Sequence, residues 1–291
     1  MELIERQLGG FEYLAAVTGL LQRIRLDSAD GGLWEAADIQ WAWRRDQHVD
    51  PAMATFWTDA SGIDVAAVVI MDWGDRLGCE LLVPPEISEW RPAMWRVALD
   101  RLESMRSHAA EVSVRDDDTT GIDLVTADGF VADGETAVSC WLEASQAPPV
   151  SDLAPGYRLL SRADAPASPH HMISRNGDLV AERLLECSLY NPAFDLYVES
   201  PEGSVAAYGL FWPDPVTGVG LVEPMRTEDA HQNRGVARHV LTAGLSRLAA
   251  AGSSRFKITF MDSNPTSKHV YLSSGFVPND KSRVYLRPAI S

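Results

Sequence analysis

The segment Gln232-Asn233-Arg234-Gly235-Val236-Ala237 carries the sharpest chemical signal in the chain. It stands between a strand pattern and a long helical pattern. A glycine there lets the backbone turn tightly and come close to a ligand. The helix N-terminus that follows offers unpaired N–H groups and the positive end of a dipole. Together these describe a cradle for a pyrophosphate. An ordinary loop entering a helix has the same local pattern, so the neighbours must decide. Glu223 interrupts an otherwise apolar strand (Val219, Leu221, Val222). Asn264-Pro265 has the chemistry of a helix start, an Asn cap followed by Pro, and Val270-Tyr271 then precede Gly275-Phe276.

Gln-x-x-Gly-x-Ala after a strand ending Glu223-Pro224-Met225-Arg226-Thr227 resembles the CoA-binding motif of the GNAT superfamily of N-acetyltransferases. Asn264, then Val270-Tyr271-x-x-x-Gly275-Phe276, resembles that family's next motif, with Val in place of Leu at 270. The resemblance covers Pro155–Pro288 and is sharpest over Leu221–Phe276. It implies an α/β (α+β) fold: a mixed, twisted sheet flanked by helices, with two parallel strands splayed to admit the pantetheine of CoA. It also implies cofactor contacts from the backbone of Met225 and Thr227, from Gln232 and Asn264, and from the amides of Arg234, Gly235, Val236, Ala237 and Arg238. The Arg234 and Arg238 side chains add charge, although a solvated helix-end charge is the plain alternative for each.

The implied reaction is direct transfer of an acyl group, by default acetyl from acetyl-CoA as co-substrate, to a small amine. An alkyl ammonium has a pKa near ~10, so a base must take a proton from it, usually through water. Glu223 is the candidate base, with pairing to an arginine as the alternative. Tyr271 is the candidate acid, with packing against Phe276 as the alternative. Asn264 holds the pantetheine or a water, or simply caps its helix. Two other functions remain open in the sequence: a CoA-binding regulatory protein without transfer, and an acyl-CoA decarboxylase.

The elements that must position these residues recur twice. Asp118–Phe130 matches Asn264–Phe276 at an offset of 146. Ala110, Val112 and Val114 fall on Phe256, Ile258 and Phe260, a period-2 strand signal. Trp95, Leu99 and Leu102 fall on Leu241, Leu245 and Leu248, an apolar helical stripe. Val65-Ala-Ala67 falls on Val205-Ala-Ala207 at a slightly different offset. A period of domain size predicts a duplicated domain: residues 1–146, a Pro/Ser/Ala-rich linker at 147–156, and residues 157–291. The tandem layout is similar to that of mycothiol synthase and its actinobacterial relatives. In the first half Gln232 becomes Glu86, Gly235 becomes Glu89, Ala237 becomes Arg91, Asn264 becomes Asp118 and Tyr271 becomes Val125. The first domain is therefore expected to be degenerate. In the second half the pattern predicts strands at 159–161, 194–200, 205–212, 219–225, 255–261 and 282–287, and helices within 171–187, 235–250 and 265–273.

Composition narrows the class. Of 291 residues, 25 are Lys or Arg and 41 are Asp or Glu, a net charge of −16. Such a chain suits neither nucleic acid nor, lacking an apolar run of ~18–20 residues, a membrane span. Its acidic N-terminus is unlike a signal peptide. A reduced, cytoplasmic protein is expected, with Cys79, Cys140 and Cys187 as buried small apolar residues. No metal is expected: His170 and His171 are adjacent, and no acid stands at ligand spacing in sequence. Asp116-Asp117-Asp118 is read as a solvated loop, and Trp34, Trp41 and Trp43 as core in preference to cleft lining. The net negative charge is confined to residues 1–150, which hold no lysine. It predicts a cationic acceptor amine drawn by the field, with solubility as the rival explanation. The oligomeric state is open.

Overall fold

The computed structural model describes residues 3–29, 31–45, 53–105, 108–166 and 168–289. The elements run β1 (Ile4–Gln7), α1 (Gly10–Asp27), α2 (Ala36–Ala42), β2 (Ala54–Thr58), β3 (Asp64–Asp72), β4 (Arg76–Leu82), α3 (Arg91–Ser104), β5 (Ala109–Arg115), α4 (Thr119–Ala127) and β6 (Val131–Glu143). They continue with β7 (Arg158–Ser161), α5 (Ile173–Asn176), α6 (Val180–Leu185), β8 (Asp195–Glu199), β9 (Val205–Pro213), β10 (Val219–Thr227), α7 (Val236–Ala250), β11 (Arg255–Met261), α8 (Pro265–Leu272) and β12 (Val277–Arg287). Strands interleave with helices, and parallel and antiparallel pairs mix, the expected fold class. Among the described residues no helix is long and apolar enough to cross a membrane.

The chain forms two compact units that are not its two halves. Unit 1 is Met1–Ile39, Gln47–Ala137 and Asp280–Ser291; unit 2 is Gln40–Asp46 and Val138–Asn279. The strand order is β1-β2-β3-β4-β5-β12 in unit 1 and β6-β11-β10-β9-β8-β7 in unit 2. The strand after α4 thus completes the second sheet, and the strand after α8 completes the first. The cores follow this exchange. Val138, Cys140 and Leu142 of β6 pack with Phe256 and Ile258 in unit 2, while Tyr285 of β12 packs with Trp95 and Phe130 in unit 1. The sequence reading, with contiguous domains meeting at 147–156, follows the repeat; the units follow the strand pairing. An exchanged strand keeps its period-2 pattern whichever sheet it joins.

In unit 2, α7 buries Val240, Leu241, Gly244, Leu245 and Leu248 on one face. The helix sits so close to β9 that a Cβ on Gly244 would lie 2.1 Å from the Phe211 ring. β9 and β10 form a hairpin whose turn is held by Asp214, whose side chain accepts from the Val216 N–H at 2.9 Å. The helical signal over 171–187 resolves into two short helices. Gly177, at φ 83°, follows α5 and stops it, because that backbone region does not continue a helix. The three cysteines are buried.

Candidate active site

The site begins where two parallel strands part. β10 and β11 pair from Val219↔Arg255 to Leu221↔Lys257 and no further. Beyond that rung β10 stays on β9, with Met225↔Gly209, Arg226↔Tyr208 and Thr227↔Ala207. Glu223 and Pro224 form a bulge opposite the single residue Leu210, and the Glu223–Pro224 peptide is cis. The bulge turns the strand, and beyond it no strand among the described residues pairs with the β11-facing edge of β10. Trp212 Nε1 donates to the Glu223 carbonyl at 2.7 Å and fixes the bulge from behind.

The parting opens a cleft of about 220 Å³, walled by Met225, Arg226, Thr227 and Gln232 on one side and Asn264, Ser267, Val270 and Tyr271 on the other, with Ala237 at the helix end. Thr227 Oγ1 is buried without a hydrogen-bond partner. An orphaned hydroxyl on a cleft wall fits a polar ligand that supplies its missing bond. The loop above has two left-handed residues, Asn233 at φ 59° and Gly235 at φ 75°, a turn chemistry that builds anion-binding concavities. A Cβ on Gly235 would meet nothing within 4 Å, so the space over the α7 N-terminus is open. Arg234 and Arg238 are exposed at its rim. The structure therefore brings Met225, Thr227, Gln232, Arg234, Gly235, Val236, Ala237, Arg238 and Asn264 to one cleft and its mouth, and these residues fit a chain-like ligand ending in a pyrophosphate.

Tyr271 both packs and lines the cleft. Its ring stands 5.9 Å from Phe260 and 6.4 Å from Phe276. Burial raises its phenol well above the ordinary range, and the charge of Glu223 adds to this, against a hydrogen bond with Ser267. Its proton is thus held through the neutral range, and Glu223 lies near enough to be felt. Glu223 itself is half-buried. Asn264 caps α8, its side-chain oxygen accepting from the Ser267 N–H at 3.1 Å, while remaining part of the cleft wall.

Two features of unit 2 escape a reading by local pattern. The first is Arg44, delivered by the segment after α2. Its guanidinium lies 3.6 Å from the Trp41 ring centroid, donates to Asn176 Oδ1 at 2.8 Å and to the Trp41 carbonyl at 2.6 Å. Burial lowers it to about 10, aided by Arg45 and opposed by Glu223 and Tyr208. Of these groups Glu223 is the candidate base, whose charge reaches Arg44. Trp41 and Trp43 are buried, as core residues. The second is an acid partner for the paired histidines, which sequence spacing does not supply and the fold does. His170 Nε2 lies 2.9 Å from Asp195 Oδ2, and His171 Nε2 lies 3.1 Å from Asp195 Oδ1. Tyr190 also donates to Asp195 Oδ2, at 2.8 Å. Burial works to raise the Asp195 carboxyl, but His170 and His171 outweigh it and bring it to about 2. The three residues have ligand atoms within 4.8 Å of one another, a grouping able to hold a metal.

Unit 1 repeats the parting strands without the cradle. Asp118 caps α4, accepting from the Gly121 N–H at 2.9 Å, as Asn264 caps α8. Val125 is buried where unit 2 has Tyr271. In place of the glycine loop, Pro85–Trp90 form a 3-10 turn. Arg91 and Asp118, the counterparts of Ala237 and Asn264, pair at 2.6 Å, and so bar the path that is open in unit 2.

Residues 146–276 match the acetyltransferase (GNAT) family. No curated protein matches the chain by sequence. Among solved structures, a tandem GNAT protein from the clavulanic acid biosynthesis pathway is similar at 15% identity and a TM-score of 0.69, over 100% of this chain and 99% of its own. A GCN5-related N-acetyltransferase from Sphaerobacter thermophilus is similar at 13% identity and a TM-score of 0.64, over 99% and 96%. A putative acetyltransferase from Pyrococcus horikoshii is similar at 11% identity and a TM-score of 0.62, over 99% and 90%. Such identities speak for the fold, and the family match speaks for the domain that holds the cleft. Residues 146–276 are thus similar to the acetyltransferase (GNAT) family, within a fold shared with tandem GNAT proteins.

Proposed function

We propose that unit 2 transfers an acetyl group from acetyl-CoA to a small amine by direct attack, without a covalent acyl-enzyme. The observation that carries this reading is the cleft between β10 and α8, whose walls include Thr227, Gln232, Ala237, Asn264 and Tyr271, with Glu223 close enough to raise the Tyr271 phenol. The thioester supplies the activated acyl group. Glu223 takes a proton from the incoming ammonium, directly or through water. The freed amine attacks the thioester carbon, and its nitrogen gives up a second proton to solvent as the carbon–sulfur bond breaks and the amide forms. Tyr271 donates its proton to the departing thiolate and regains one from solvent. Splitting the two proton transfers between a carboxylate and a phenol spares either group from serving both roles. An amide N–H of the unpaired β10 edge serves the thioester oxygen. Gln232, Gly235–Arg238 and the Arg234 side chain hold the pyrophosphate, and Met225, Thr227 and Asn264 the pantetheine.

The acceptor in this reading is an amine that arrives as a cation, in keeping with the acidity of residues 1–150. Free thiol is followed after adding acetyl-CoA alone and then with an amine panel. Thiol release only with amine, together with an acetylated product, supports transfer. Tight CoA binding with no thiol release under any amine supports a regulatory protein instead.

A further inference from the structure

Unit 1 contains a cavity of about 500 Å³ between the parting ends of β4 and β5, roofed by the end of α1 and the loop that follows it. That size is ordinary for a small-molecule site. Its walls are largely aliphatic, with Leu21, Ile24, Leu33 and Val83 among them. Three acids line it, Glu80, Asp117 and Asp118, and of these Glu80 is the buried one, only 4% exposed. Trp34 Nε1 donates to Glu80 Oε2 at 2.9 Å, and Ser113 bonds the same carboxyl. Two donors leave an ionised carboxylate, which accepts about four hydrogen bonds, with capacity to spare.

The charges around the cavity select the sign of a ligand. Arg91 is paired with Asp118 at 2.6 Å. Arg115 is paired with Asp117 at 2.9 Å and Asp280 at 2.7 Å. Both lining arginines are therefore committed to carboxylates, and among the described residues no cation stands against the buried Glu80. An anion entering here would meet an acid and no available base. The Arg91–Asp118 pair also closes the route by which a pyrophosphate would reach the helix N-terminus.

We infer that the unit 1 cavity is a binding site for a small apolar amine, taken as its cation, with the ammonium on Glu80 and the hydrocarbon part against the aliphatic walls. The site is separate from the transfer site and does not depend on the reaction proposed for it. Burial raises the empty Glu80 carboxyl well above its ordinary value, with Glu111 adding and the Trp34 and Ser113 bonds opposing. An arriving cation would restore the carboxylate and release a proton.

The test is calorimetry on the full chain with three probes that share a phenethyl group and differ in charge: phenethylamine, 3-phenylpropanamide and 3-phenylpropionate. Phenethylamine is expected to bind best, with a heat that varies with the ionisation enthalpy of the buffer because a proton leaves. Glu80→Gln should weaken phenethylamine about tenfold or more and remove the buffer dependence. Leu33→Trp, which fills the cavity from its loop wall, should abolish binding and serves if Glu80→Gln fails to fold. Glu223→Gln should leave this binding unchanged. Three results overturn the inference: no phenethylamine binding, propionate binding as tightly as the amine, or loss of binding in Glu223→Gln with retention in Glu80→Gln. The last would place the probe in the transfer site.

Discussion

Glu80 and Glu223 occupy the same rung of two equivalent ladders. In unit 1 the parallel pairing of β4 and β5 opens with Arg76↔Ala109. In unit 2 that of β10 and β11 opens with Val219↔Arg255. Each glutamate stands four residues beyond that first rung, where its strand is parting from its neighbour. Their surroundings differ. Glu223 sits in a bulge, half-buried, near a tyrosine and an arginine. Glu80 sits in an unbroken strand opposite Val69, buried against an indole. The same backbone position thus carries a half-buried glutamate beside the parting strands in one unit and a sequestered acid against an apolar cavity in the other.

Tyr271→Phe keeps the ring packed between Phe260 and Phe276 and deletes the hydroxyl. Turnover should fall about 10²-fold with CoA affinity nearly unchanged, because proton donation acts in the transition state. Steady-state kinetics with a separate CoA titration checks this. Equal turnover, with chemistry rate-limiting, would reduce Tyr271 to a packing residue.

Gly235→Glu should abolish CoA binding. The residue's left-handed backbone disfavours any side chain, and a carboxylate would occupy the open space where an anion is held. Calorimetry on the unaltered chain should give one CoA per chain, since Arg91 and Asp118 close the counterpart in unit 1. A second CoA site would contradict this.

Gly244→Ala should lower stability by about 1–3 kcal/mol, the usual range for overpacking a filled core. The added methyl would lie 2.1 Å from the Phe211 ring, and both α7 and β9 are held on other sides. A melting curve reads it directly. A Tm equal to that of the unaltered chain would mean α7 can slide on the sheet.

Asp195 should shape the acid limb of stability. Its carboxyl lies at about 2 in the folded chain, below the ordinary aspartate value of 3.8. A group depressed on folding stabilises fully above its unfolded pKa and loses that contribution as pH falls through its folded one. The unaltered chain should therefore lose Tm between about pH 4 and pH 2. Asp195→Asn should be less stable at neutral pH and lose less over that window. Parallel acid limbs in the two proteins would show that the His170–His171–Asp195 cluster does not set the limb.

Much of this was legible in the residues, for local reasons. Asn264, Pro265 and Phe276 mark a cap, a helix start and a core anchor by their own chemistry, and their echoes at Asp118 and Phe130 reveal the duplication. What lay hidden depends on contacts distant in sequence. Arg44 reaches Asn176 across 132 residues, and no periodicity near either announces it. Asp195 meets His170 and His171 only because β8 returns beneath them. Glu80 is masked by a change of offset: β5 and β11 stand 146 apart, but β4 and β10 stand 143 apart. A fixed register slides past the equivalence with Glu223.

The exchange of β6 and β12 bears on the order in which the chain can fold. Unit 1 is built mainly from residues synthesised early, yet its sheet lacks an edge until Ser282–Arg287 have left the ribosome. Until then β5, which those residues cover, stays an open edge with Val112 and Val114 beside it. Unit 2, by contrast, has all its strands once β11 is made. The half translated first is therefore finished last, and a chain broken off before Ser282 would lose more from unit 1 than from unit 2.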